Sequence, residues 1–160
     1  MTARRASAVV LACAVLFTSA PAAALNLFPG SRPTDLGFAD GRFPRGDERP
    51  NWVSSTVDPA EGDRHIAPLA FQGDPGKAWA RLEHAVSAMP RVAIVTRTAS
   101  YLHVEFASRL FGFVDDAQFA LDAKAGVIHV KSAARVGIRD FSVNRERIEA
   151  LRAAFAASPD

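Results

Sequence analysis

Apolar residues after about position 64 return with two different rhythms, and the change of rhythm predicts the order of the elements. Trp79, Leu82, Val86 and Met89 recur at helical spacing, with Ala78 and Ala85 leaving room for close approach. Asp74 and Pro75 open that stretch as an N-cap and a first-turn proline, and Pro90 closes it. Ile148, Leu151 and Phe155 repeat the helical spacing over about 143–157, with Ser142 or Asn144 as the cap. Between the two helices, β-rich runs are expected at 92–98, 101–107, 113–121 and 127–133. Leu102, Val104 and Phe106 alternate there with Tyr101, His103 and Glu105, and Ile128 and Val130 with His129 and Lys131. Such alternation describes a sheet with one covered face and one polar face. A short strand over 65–71 precedes the first helix, and Asp122 to Gly126 reads as a turn.

The order β-α-β-β-β-β-α predicts an α+β fold, a curved antiparallel sheet of about five strands with two helices on one face. It is like the TATA-binding-protein and helix-grip arrangements, an analogy that carries no function. Residues 64–160 form this single domain. Residues 25–63, dense in Gly, Pro, Asp and Arg, show neither rhythm. They read as an irregular arm wrapping the domain, with Leu36, Phe38, Phe43 and Trp52 as anchors.

Composition matters chiefly through the first 24 residues. Arg4 and Arg5, the apolar stretch Ala6 to Phe17 and the small residues ending Ala22-Ala23-Ala24 describe a signal peptide, hence export to the periplasm or cell envelope. The apolar run falls short of the roughly 20 residues of a membrane-spanning helix, so no transmembrane segment is expected once the leader is removed. A retained anchor is the alternative. Cys13, after Leu11 and Ala12, mimics a lipoprotein cleavage site, but only Ala6 to Ala12 would then form its apolar region. Without Arg4 and Arg5 the 19 basic residues become 17, matching the 17 acidic ones, so the basic balance says nothing of nucleic acid. With Cys13 gone, no cysteine remains for a disulfide.

The chemistry-bearing residues concentrate after Phe111. Asp115 and Asp116 lie inside a strand pattern and are followed by Arg135, Arg139, Asp140, Asn144, Arg145 and Arg147, which suggests one polar network. Asp115 shares parity with Phe113, Ala117, Phe119 and Leu121, which places it on the helix-covered face unless a bulge beside Gly112 swaps it with Asp116. A buried carboxylate needs compensation, and Arg135, Arg139 and Arg145 are its available partners. An ion pair tying helix to sheet is the favoured reading. Tyr101, His103, Glu105, Asp116, Gln118, His129 and Lys131 share the opposite face, expected to be uncovered and hence a candidate binding face. No H-E-x-x-H motif, phosphate loop or G-x-S-x-G elbow is present, so no metal, cofactor or serine nucleophile is expected, and Ser54 and Ser55 read as turn residues.

FGFVDD, then S-x-x-RVG-x-x-D and NR-x-RIE, resemble the bacterial and plastid family of unknown function catalogued as number 1499. The resemblance extends upstream through Leu36, Gly37, Asp40, Gly41, Pro50, Asn51, Val53, Ser54, Ser55, His65, Pro68 and Leu69. It implies no activity. Many members carry cysteines where this chain has Gly46 and Trp52, and joint loss of both fits a pair that bonds in those members. The leading expectation is a non-catalytic envelope protein that binds a small molecule, lipid or envelope protein through the open sheet face or the gap beneath its helices. A hydrolase or isomerase using Asp115 or Asp116 with Arg135 and a histidine is the runner-up, and a purely structural module the third.

Overall fold

A computed structural model describes residues 28–139 and 141–158. The expected leader over 1–24 lies outside the described residues. In chain order the elements are β1 (Trp52–Ser54), a 3-10 helix (Pro59–Arg64), β2 (Leu69–Ala70), α1 (Pro75–Ser87), β3 (Val92–Arg97), β4 (Tyr101–Ala107), β5 (Val114–Asp122), β6 (Val127–Ala134) and α2 (Val143–Ala157). The protein is α+β, with an open antiparallel sheet of six strands in the order β1-β6-β5-β4-β3 and β2 also paired to β6.

The strand beyond the expected five is β1, drawn from the segment read as irregular. Three residues are too few for a period-two pattern to show, and all three are buried. β1 and β2 pair with opposite halves of β6 and so share one edge. Ser55 joins the two halves, because its N–H donates to the Val130 carbonyl and its Oγ accepts from the Val130 N–H, each at 2.9 Å. Ser55 Oγ thus satisfies a strand N–H, and it also lies 3.2 Å from His129 Nδ1.

Both helices cover one face. Trp79, Leu82 and Val86 from α1 and Ile148, Leu151 and Phe155 from α2 meet Leu102, Val104, Phe119, Ile128 and Val130 in one core. Burying each such side chain contributes roughly 1.5–3 kcal/mol. Asp74 caps α1 as expected, its carboxylate accepting from Lys77 N–H at 2.8 Å. Ser142 stands at the N-cap position of α2 but makes no side-chain capping bond. Asn144 turns fully inward instead.

The second face is also covered, by residues 28–49 of the arm, against the expectation of an open surface. Phe43 is buried, and Phe38 stacks on His129 at 5.5 Å between ring centres. Gly37 N–H donates to Gln118 Oε1 at 2.8 Å. Gly46 and Trp52, the positions that the resemblance links as a cysteine pair, are in contact: a Cβ on Gly46 would lie 2.4 Å from the indole nitrogen. The indole donates to the Asp47 carbonyl at 2.8 Å and lies under Arg45 and Arg64. Ring packing therefore closes arm onto β1 here.

Gly46→Ala should destabilise the fold by about 1–3 kcal/mol through overpacking. Combining it with Trp52→Phe should recover part of that loss, because the smaller ring vacates the space. Thermal melts of the two single variants and the double variant measure the coupling, and additive losses would place the ring elsewhere.

Candidate functional site

β5 carries the two adjacent carboxylates in regular extended backbone, so their side chains leave on opposite faces. No bulge interrupts the pairing of β5 with β4 or β6, and Asp115 faces the helices as parity required. Its partner is Arg147, at 2.6 Å, with the guanidinium also 4.8 Å over the Phe106 ring. Arg147 donates to Asn144 Oδ1 at 2.8 Å, and Asn144 in turn accepts from Ser132 Oγ and donates to the Asn51 carbonyl. An ion pair does tie α2 to the sheet, but the expected partners of Asp115 do other things. Arg145 donates to the carbonyls of Asp63 and His65. Arg135 lies on the opposite face, and Arg139 is exposed in the loop before α2. Asp140 lies outside the described residues. The single network expected from sequence is thus two networks, separated by the sheet.

On the arm-covered face, Asp116 accepts two parallel hydrogen bonds from Arg135, both at 2.7 Å, and a third contact of 2.7 Å from His103 Nε2. Arg135 also donates to Glu105 Oε1, which accepts from Arg32 of the arm at 2.7 Å. Cross-strand register sets this up: Glu105 pairs with Asp116, and Gln118 lies between His103 and Lys131. Asp116 thus has Glu105 directly opposite, and His103 reaches it diagonally. Burial pushes the Asp116 carboxyl up, but the bonds from Arg135 and His103 outweigh it and hold it below the ordinary carboxylate value. Glu105 follows the same balance with Arg135 and Arg32. Burial raises the Tyr101 hydroxyl to about 12, aided by the Asp116 charge, and that hydroxyl donates to Gln118 Oε1 at 2.8 Å. Burial lowers His129, partly offset by Asp122.

The expected binding residues are therefore together but not open. His103, Asp116 and Gln118 are each 2% exposed and Lys131 is 6%. What reaches them is a cavity of about 250 Å³ between arm and sheet, with Asp116, Gln118, Lys131 and Arg135 on its floor and Asp35 and Asp47 among the arm residues that roof it. Lys131 Nζ donates to the Pro44 carbonyl and forms no ion pair among the described residues, although an ammonium carries three donors. Burial lowers its pKa, opposed by the charges of Asp35, Asp116 and Asp47. Sequence reasoning had Lys131 on the right face but missed its roof, and the apolar arm anchors Phe38 and Phe43 were the signal.

This geometry disfavours acid-base work by Asp116, which is kept ionised and chelated by a guanidinium. Among the described residues no group of three or more His, Asp or Glu side chains could hold a metal ion. No helix among them is long and apolar enough to cross a membrane. A larger hollow of about 670 Å³ lies between the arm and residues 56–61, but its Arg45 and Glu61 already pair at 2.6 Å.

Two outcomes follow from these networks. Because the folded-state pKa of Asp116 lies below its unfolded value near 4, its contribution is complete above that value and lost as pH falls through the folded one. Asp116→Asn should cost about 3–5 kcal/mol at neutral pH and flatten the acid limb of the stability curve, as chemical denaturation across pH would record. Asp115→Asn and Arg147→Met should each destabilise, with a double-variant loss smaller than the sum by at least about 1 kcal/mol.

A family model described as Protein of unknown function (DUF1499) matches residues 46–155. It thus spans every strand and most of α2 but leaves out arm residues 28–45. No curated protein matches the chain.

Proposed function

The chain belongs to the DUF1499 family, which is defined without an activity, and from that premise we propose that it is an exported, non-catalytic binding protein of the cell envelope. Its ligand is a small solute that presents a carboxylate or phosphate to Lys131 beneath the arm. The observation that carries this reading is the state of that lysine. It is almost fully buried beside a cavity, with one backbone carbonyl as its hydrogen-bond partner and no paired carboxylate among the described residues. An unpaired buried ammonium is costly, whereas Arg135, Arg45 and Arg49 already have carboxylates within 2.7 Å. An entering anion would therefore meet one cation with donors to spare.

Size supports a small ligand. At roughly 30 Å³ per water, the cavity corresponds to only several waters, below the range of about 300–1,000 Å³ typical of drug-sized ligands. Gln118 and Arg135 beside Lys131 supply orientation. Export rests on the leader pattern of residues 1–24.

Lys131→Met should leave the ligand-free protein as stable as the parent, or more stable, since it removes a buried charge rather than an ion pair. The same substitution should abolish anion retention in native mass spectrometry of protein taken from the envelope. The pH dependence has a definite sign. With the folded-state pKa below the ordinary 10.5, the folded protein binds fewer protons in the interval between the two values. Stability should then rise with pH across that interval, while anion binding falls. A Lys131→Met variant that unfolds, or that keeps its ligand, would remove the basis of the proposal.

A further inference from the structure

Large exposed apolar side chains are concentrated at one end of the sheet. Of the nine among the described residues, all but Ile94 lie in the loop between β4 and β5, in the segment leading from β6 into α2, at the first residue of α2 (Val143), or at Phe28. The two connections are neighbours because β5 begins where β6 ends, with Asp115 paired to Ala134 and Arg135 N–H bonded to the Val114 carbonyl. Phe28 joins them, its ring centre 6.1 Å from that of Phe113. Leu110 is 76% exposed, Ile138 73% and Phe141 87%. Phe141 also holds a left-handed backbone, with φ of 51°. For a bulky residue that conformation is uncommon and strained.

We propose that this end of the sheet is a docking surface for an anionic lipid bilayer, with Leu110, Phe111, Ile138 and Phe141 set into the interfacial region. Three observations select a bilayer over other occupants. Exposed apolar residues carried on loops suit a fluid interface that needs no shape match, with the Phe28, Phe111 and Phe113 rings clustered and Phe141 at the rim of a hollow of about 440 Å³ that Trp52 and Arg145 also line. Arg109 and Arg139 flank these tips, are exposed and form no ion pair among the described residues. They outnumber Asp140, the one acidic residue in the sequence of the two connections. Finally, Phe28 follows Leu25 and Leu27 in the sequence, apolar residues that stay with the chain once the leader over 1–24 is removed.

The test uses the full chain with vesicles of equal parts phosphatidylcholine and phosphatidylglycerol, and with phosphatidylcholine alone. A Phe141→Trp variant in vesicles containing brominated lipid should show quenched emission beyond that of the parent, whose own indoles are Trp52 and Trp79. Ile138→Ser with Leu110→Ser should weaken the partition by about tenfold or more, because interfacial binding scales with inserted apolar area. Arg109→Gln with Arg139→Gln should reduce the preference for the anionic vesicles and its salt dependence. Melting temperatures should stay close to that of the parent for these exposed positions. Vesicle binding with no quenching at position 141 and no effect of the loop variants would assign attachment to the N-terminal segment alone and overturn the proposal. So would absence of vesicle binding, and so would a concentration-dependent dimer abolished by Ile138→Ser, which would give this surface to a second copy.

Discussion

Two neighbouring carboxylates on a central strand set the terms for everything packed around them. Asp115 and Asp116 leave β5 on opposite faces, so whatever covers either face must bring a cation to meet one. The helical layer brings Arg147, directly from α2. The arm layer is met by Arg135, and Arg32 of the arm reaches the same network through Glu105. Charge-assisted, paired hydrogen bonds of this kind fix geometry as well as energy. Replacing such a pair by apolar residues is often neutral, but removing one partner costs several kcal/mol. The pairs thus specify which face each layer takes more than they add to net stability.

Lys131 stands apart within that arrangement. Arg135 on the same face has carboxylates in contact, whereas Lys131 has a carbonyl of the arm itself. The arm's hold on the sheet is assembled from separate points: a backbone bond to Gln118, a ring stack on His129, a carbonyl to Lys131 and an exposed ion pair at Arg32. None belongs to a continuous ladder. Segments held in this way open at lower free energy than a core strand, which widens a solute's access to the cavity beside Lys131.

Strand and helix positions were legible because each long element shows a clean rhythm against its covered face. The sites of Leu102, Val104 and Phe106 on β4, or Ile148, Leu151 and Phe155 on α2, follow from spacing alone. Parity likewise gave the opposite orientation of Asp115 and Asp116. Three things could not be read that way. β1 is shorter than one alternation, and its pairing with β6 crosses about eighty residues. That Arg147, and not Arg135, Arg139 or Arg145, is the partner of Asp115 depends on how the chain turns between β6 and α2, where no rhythm operates. The polar face looked solvated because its residues are polar, yet they are satisfied by an irregular arm whose anchors, Phe38 and Phe43, follow no period. Burial by an aperiodic segment leaves its trace in that segment rather than in the face it covers.

The arm also joins the two proposed surfaces physically. Phe28 packs at the apolar sheet end, and Gly30 passes so close to Arg135 and Val136 that a Cβ there would lie 2.8 and 2.7 Å from them. Two residues later Arg32 enters the ion network, and the chain then runs on to roof the cavity. Contact at Phe28 and occupancy beside Lys131 would therefore act on one segment of some twenty residues, each able to favour the docked arm. Coupling requires that each partner distinguish the docked from the undocked state, and Phe28 and the Pro44 carbonyl are the atoms through which each would do so. Such coupling would be reciprocal: a bilayer that holds the arm in place would strengthen anion retention by the same factor that the anion strengthens the membrane contact.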